Sequence, residues 1–233
     1  LWYDFYTASV FLKEICEGKL VRLRNWIIFF SVASLWGSNW SVMKMGLSYV
    51  SPLAFVLQRF LFSAVVLSPV PLLLHKKIPR DRVTLCNLLI LCLINALGVT
   101  VTNIGLVGES SGIGAVLTYT QPLFVFCLAI PFLKERVTAT KLLGTVIGFV
   151  GVATLFLGRI GTFTFNSTLA LILGAFLWAV TIVYYKGFLS HVDPFITSFF
   201  QLSIGILPLA MLTLITGDFT FPGDPTYLGI ILY

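Results

Sequence analysis

Charged residues punctuate this chain at long intervals, and between them the sequence is almost wholly apolar. Uncharged runs cover residues 25–43, 60–75, 83–108, 110–133, 142–158, 160–185 and 194–217, and another begins at 225. A bilayer core takes about 20 residues of helix, with a range of roughly 17–25. The pattern therefore predicts seven membrane helices, near 26–45, 52–74, 84–107, 110–133, 140–158, 167–187 and 194–216, and the beginning of an eighth near 225. The first twenty residues read differently. Trp2, Phe5, Tyr6, Leu12, Ile15 and Leu20 recur at helical spacing, with Asp4, Lys13, Glu14 and Glu17 elsewhere around the wheel. That pattern fits a helix lying in the membrane interface, and its apolar run is too short and too interrupted for a signal peptide.

Composition agrees with the pattern. Hydrophobic residues make up 58% of the 233 and charged residues 10%, and the mean hydropathy is +1.00. A soluble domain carries about a quarter charged residues, so the class is all-α integral membrane. The net charge of +6 is explained by where it falls. With the N-terminus in the cytoplasm, the inner side holds twelve basic residues: Lys13, Lys19, Arg22, Arg24, Lys76, Lys77, Arg80, Arg82, Lys134, Arg136, Lys141 and Lys186. The outer side holds Lys44 and Arg159, and Arg59 lies within the second helix. Such asymmetry follows the positive-inside rule and places a multi-pass protein in the cell membrane. Nucleic-acid binding needs basic charge gathered on one folded face, which this distribution does not provide. Cys16, Cys86, Cys92 and Cys127 have no metal-ligand spacing, and His75 and His191 stand alone in loops, so no metal and no cofactor are expected.

One spacing is used twice. "WGSNWSVMKMGLSYVSP" at 36–52 returns as "WAVTIVYYKGFLSHVDP" at 178–194. An offset of 142 pairs Ala33 with Ala175, Leu35 with Leu177, Trp36 with Trp178, Lys44 with Lys186, Ser48 with Ser190, Val50 with Val192 and Pro52 with Pro194. Apolar bias supplies Ala, Leu and Val matches readily, but rarely Trp, Lys and Pro in register. Five predicted helices separate equivalent points, so the copies cross the membrane in opposite directions. Inverted repeats of this kind mark secondary transporters, whose substrate site lies near the midplane where the repeats face each other. The expected organisation is an N-terminal segment at 1–25, a first five-helix repeat at 26–158 and a second at 159–233. The second would be cut short, leaving about seven and a half of ten helices. Lys44 and Lys186 are expected to snorkel to headgroups, and Pro52 and Pro194 to open their helices.

The chain resembles the EamA-type transporters of the drug/metabolite transporter superfamily. "LWGSNWSVMKMGLSYVSPLAFVLQRFLFSAVVL" is similar to that family's first two helices. "GLVGESSGIGAVLTYTQPLFVFCLAIPFLKERVTATKLLGTVIGFVGVATL" is similar to its helices 3 to 5, and "GAFLWAVTIVYYKGFL" to the start of its second copy. The resemblance implies ten helices, both termini cytoplasmic, and transport of small organic metabolites or drugs. A lipid or amphiphile flippase of the same fold, or a non-transporting receptor or assembly subunit, is the rival reading.

Polar residues deep in a membrane helix are costly and tend to face a cavity or another helix. On that ground the expected cavity residues are Trp36 and Asn39 in helix 1, Arg59 in helix 2, Asn95 in helix 3, Tyr119 and Gln121 in helix 4, Trp178 in helix 6 and Gln201 in helix 7. Pro122 removes its own N–H and so frees the carbonyl of Thr118. Arg59 either meets an anionic solute group, or snorkels outward or bonds a helix carboxyl end. Gly144, Gly148 and Gly151 form a small-residue stripe suited to close packing, including a homodimer through membrane helices. "GESSG" at 108–112 matches the G-x-S-x-G nucleophile pattern. That elbow needs a preceding strand and acid and His partners, whereas here it is a short loop between membrane helices, so no enzyme is expected. The expected partners are a small-molecule solute and the lipid bilayer.

Overall fold

The computed structural model describes residues 19–73, 78–134, 138–157 and 164–233, with side chains for these except 19–24, Leu72 and 155–157. The interfacial helix expected in the first twenty residues lies outside the described side chains. Among the described residues there are ten α-helices: α1 Lys19–Gly46, α2 Pro52–Leu67, α3 Pro69–Leu73, α4 Arg82–Gly108, α5 Ser111–Thr118, α6 Gln121–Leu133, α7 Ala139–Leu157, α8 Phe165–Tyr184, α9 Pro194–Thr216 and α10 Pro225–Leu232. A π-helical turn, Tyr185–Leu189, continues α8.

Among the described residues, five stretches are long and apolar enough to cross a membrane: Pro52–Pro71, Arg82–Gly108, Ser111–Leu133, Phe165–Leu189 and Pro194–Thr216. They fall on the second, third, fourth, sixth and seventh predicted helices. The first predicted helix is α1, whose 28 residues would extend about 42 Å at 1.5 Å each. Asn25, Ser31, Ser34, Ser38, Asn39 and Ser41 dilute its apolarity. The fifth is α7, with a shorter apolar part, Ala139–Thr154. The fold is an all-α integral membrane fold. Large side chains such as Val65, Val66, Phe132, Leu143, Leu207, Leu214 and Ile215 stand exposed around it. Water would penalise so extensive an apolar surface, and lipid does not.

Helix starts use one device repeatedly. Ser51, Asp193 and Asp224 each precede a proline at the first helical position, where the missing N–H costs nothing. Each accepts a backbone N–H of the first turn, from Ala54 at 3.2 Å, Phe195 at 2.9 Å and Thr226 at 2.7 Å. Pro52 and Pro194 thus occupy the predicted role. After α2, Ser68 turns the chain into the short α3, where Pro69 and Pro71 interrupt the hydrogen-bond ladder.

The tightest packing joins α4 to α8. A Cβ built on Gly105 would lie 2.7 Å from the carbonyl oxygen of Ser167 and 2.8 Å from the backbone nitrogen of Leu171. One on Gly98 would lie 3.0 Å from Cδ1 of Trp178. Only a missing side chain lets the backbones come this close. The predicted stripe on α7 behaves otherwise. Gly148 packs under Leu123 of α6, but Gly144 and Gly151 have nothing within 4 Å among the described residues. The close seam therefore lies between the third and sixth spans. Here backbones approach each other, whereas the α7 stripe meets a side chain, that of Leu123, at Gly148.

The structure also corrects Lys44. Its Nζ donates to the carbonyls of Leu106 at 2.8 Å and Val107 at 2.7 Å. Those carbonyls belong to the last turn of α4, where no intrahelical N–H reaches them. An ammonium placed there also opposes the negative end of the helix dipole. Lys44 therefore caps a neighbouring helix instead of reaching headgroups.

Candidate functional site

The fourth span is broken at mid-depth. α5 ends at Thr118, Tyr119 and Thr120 make a turn, and α6 begins at Gln121. Ser110 caps the start of α5, and eight or nine residues later the break stands about 12–14 Å along a core about 30 Å thick. The local sequence dictates the break. Pro122 has no N–H to give the carbonyl of Thr118. The Thr120 N–H turns back to Leu117 O at 3.2 Å, and the Thr120 hydroxyl donates to the same oxygen at 2.7 Å. Thr120 O then accepts from Leu123 at 2.9 Å and Phe124 at 3.3 Å, starting a new helix.

Beside the break, the Tyr119 ring meets Trp40 of α1 edge to face, centroids 6.4 Å apart. Tyr119 is 55% exposed and Trp40 only 4%. The indole N–H of Trp40 has no hydrogen-bond partner among the described residues, nor has Oδ1 of Asn103 on α4. Leaving such a group buried and unpaired costs about 1–3 kcal/mol. Trp40 belongs to a buried cluster with Met43, Leu106, Leu117 and Leu171, against which Trp178 packs. Trp36, its repeat equivalent, is half-buried and outside that cluster. Four residues separate Trp36 from Trp40, a little over one helical turn, and it is the latter that α5 and α8 enclose.

The other expected residues divide in the same way. Arg59 donates from Nη2 to Oδ1 of Asn39 at 3.1 Å, and its guanidinium lies 5.7 Å above the Phe55 ring. It binds a neighbouring side-chain amide and an aromatic face, not a helix end. Asn39 in turn gives its Nδ2 to the sulfur of Met43 at 3.2 Å, so Arg59 and Asn39 form one polar link between α1 and α2. Gln121 is buried in the first turn of α6, next to the break. Asn95 and Gln201 are half-buried on α4 and α9 and join none of these contacts.

Two polar residues outside that set tie helix ends together on one side of the membrane, and a third caps a helix on the other. Gln58, beside Arg59, accepts the Tyr227 hydroxyl at 2.6 Å and donates to Thr220 O at 2.7 Å. It thereby fastens α2 to α10 and to the loop before it. Glu109, 6% exposed, accepts the Thr164 N–H at 3.0 Å and the Thr168 hydroxyl at 3.1 Å. Its carboxylate sits at the positive end of α8, where an anion is favoured. A polar residue interrupting an otherwise apolar helix was the signal for Gln58. Glu109 carried only the look of a loop residue. At the other membrane end, Asp81 caps α4 through the Thr84 N–H at 2.8 Å. Hydrogen bonds from the Thr84 side chain and backbone hold its carboxyl below the ordinary aspartate value.

Together these features define a polytopic α-helical membrane protein with one span interrupted at mid-depth beside buried aromatic and amide groups. The sequence model of the EamA-like transporter family matches residues 24–157, more than half of the chain, and the chain belongs to that family. It is 28% identical over 189 residues to the uncharacterized transporter YoaV of Bacillus subtilis, covering 79% of this chain and 65% of that protein. It is 26% identical over 218 residues to an uncharacterized transporter of Archaeoglobus fulgidus, covering 89% and 76%. The uncharacterized inner membrane transporter YedA of Escherichia coli is 33% identical over 161 residues, covering 66% and 51%. The chain thus spans about half to three quarters of the length of these relatives.

Proposed function

We propose that the protein moves a small organic metabolite or drug across the membrane by alternating access within a fold of two inverted repeats, with the solute resting at the break in the fourth span. The carrying observation is the exposure of Tyr119 at that break. Irregular backbone at membrane depth is tolerated where it is buried in protein or lines a water-filled cavity, not against lipid. A helix break with an exposed aromatic therefore belongs to a cavity, as broken helices in secondary transporters do. Tyr119 and Trp36 would offer aromatic faces, Gln121 and the freed carbonyl of Thr118 would orient polar groups, and Trp178 would back the site. The family membership supports this reading. The N-terminus would be cytoplasmic, motivated by the twelve-to-two count of basic residues.

Reconstituted full-length protein, given a panel of soluble solutes, is the test. Trp36→Ala, Tyr119→Ala and Gln121→Ala should each weaken uptake of the transported solute at normal expression. Ile147→Ala, on the exposed face of α7, should not. Unaltered rate and apparent affinity in all three would move the site elsewhere, and a protein that moves only lipids would be a flippase. Orientation is read separately, by an impermeant thiol reagent on intact cells carrying cysteine at Thr220 or Arg80. Thr220 should label, and labelling at Arg80 alone would reverse the topology.

A further inference from the structure

A second feature lies between the fourth, fifth and sixth spans. Pro122, Val125, Phe126, Ala129 and Leu133 of α6 form one wall of a slot of about 170 Å³. Their spacing is that of a single helix face. Ile182 and Val183 of α8 form the opposite wall, and Lys141 of α7 and Lys186 of the π turn complete the lining. The wall runs from mid-depth at Pro122 to the helix end at Leu133, about 16 Å at 1.5 Å per residue. That is half of a hydrocarbon core about 30 Å thick.

The charges sit at one end only. Lys141 follows two residues after the start of α7, and Lys186 is in the last turn of the sixth span. Both therefore stand at the Leu133 end, at headgroup level. Lys134, which follows Leu133 directly, adds a further basic residue at that end. The slot is thus apolar from mid-bilayer to the interface and cationic at the interface, the inverse image of an anionic amphiphile. An apolar cavity of about 150 Å³ holds a benzene-sized group, so this one takes a stretch of a single chain, the remainder lying along the bilayer.

We propose that this slot binds an anionic phospholipid of the adjoining leaflet, its phosphate between Lys141 and Lys186 and one acyl chain along α6. A zwitterionic lipid offers the chain without net charge, and free phosphate offers the charge without the chain. Basic pockets between membrane helices hold anionic headgroups by this pairing. The slot adjoins the break at Pro122, but lipid binding at its lysine end is tested without any transport measurement.

The test uses the full chain in phosphatidylcholine nanodiscs, with phosphatidylglycerol titrated in and bound lipid counted by native mass spectrometry. Phosphatidylglycerol should be retained in preference to phosphatidylcholine. The double variant Lys141→Gln, Lys186→Gln should weaken its retention about thirty-fold, two charges near the surface contributing about equally. Ala129→Phe keeps both lysines and fills the slot, and should also lose the lipid. A thermal-unfolding scan in phosphatidylcholine alone checks that each variant is folded. Equal retention of the two lipids, equal retention by wild type and the lysine variant, or displacement by inorganic phosphate would each overturn the proposal. So would wild-type retention by Ala129→Phe.

Discussion

Gly105→Ala is the most direct test of how the membrane helices are held. The added methyl would stand 2.7 Å from Ser167 O and 2.8 Å from Leu171 N, both backbone atoms that no rotamer change can move. Cβ atoms essentially never come within 3.0 Å of another heavy atom, so the backbones of α4 and α8 must shift apart around Gly105. Overpacking of this kind costs about 1–3 kcal/mol, with rigid backbone neighbours toward the upper end. Replacing glycine by alanine inside a helix returns about 0.5–1 kcal/mol. The net loss is therefore about 2 kcal/mol, a roughly thirty-fold fall in the folded-to-unfolded ratio. Gly144→Ala supplies the control, because nothing lies within 4 Å of its added methyl. It should be neutral or gain up to about 1 kcal/mol from helix propensity alone. Thermal unfolding of both purified variants in one detergent measures the difference. If Gly105→Ala melts at or above Gly144→Ala, the seam is not the close contact described.

Glu109→Ala should destabilise the N-terminal end of α8, since charged hydrogen bonds are worth about 1.5–3 kcal/mol and the Thr164 N–H and Thr168 hydroxyl lose their acceptor; Glu109→Gln, retaining a carbonyl oxygen, should lose less, and equal melting temperatures for the two would refute the role. Asp81 gives a pH dependence of stated sign. Its folded pKa lies below its unfolded value, so its contribution is fully present above about pH 4 and is lost as pH falls through the folded pKa. Asp81→Asn should therefore be less stable than wild type at neutral pH and converge with it in acid, and a gap that persists or widens on acidification would contradict the assignment.

Much of this fold was legible in the sequence because membrane helices advertise themselves. A run such as 83–108 has no charge to interrupt it, and Arg82–Gly108 is the helix that results. Pro52 and Pro194 were readable for a local reason, since a missing N–H restricts a residue to the first turn wherever its neighbours lie. Pro122 pointed to the freed carbonyl of Thr118 for the same reason, although the single helix expected near 110–133 is two, Ser111–Thr118 and Gln121–Leu133. Partners were not legible. Lys44 caps carbonyls 62 and 63 residues away, and Glu109 holds groups 55 and 59 residues away. Helical periodicity says which face is polar but not which helix it meets. Glycine spacing has the same limit: α7 carries the regular stripe, yet close approach depends on the opposing surface. Trp36 was favoured over Trp40 because the repeat singled it out, while enclosure by α5 and α8 selects the next turn.

The α4–α8 seam also bears on which parts of the molecule can travel together. α4 belongs to the first proposed repeat and α8 to the second, so the tightest backbone contact crosses the line of duplication. The carboxylate of Glu109 clasps the head of α8 from the tail of α4, and the Tyr184 hydroxyl ties its other end to Asn87 at 2.8 Å. A rocking motion that parted the two copies as blocks would have to tear both latches and open a glycine-lined joint between them. Motions that keep α4 and α8 as one strut, and swing the remaining helices around it, leave all of these intact. The ancestral unit and the mechanical unit are then different sets of helices.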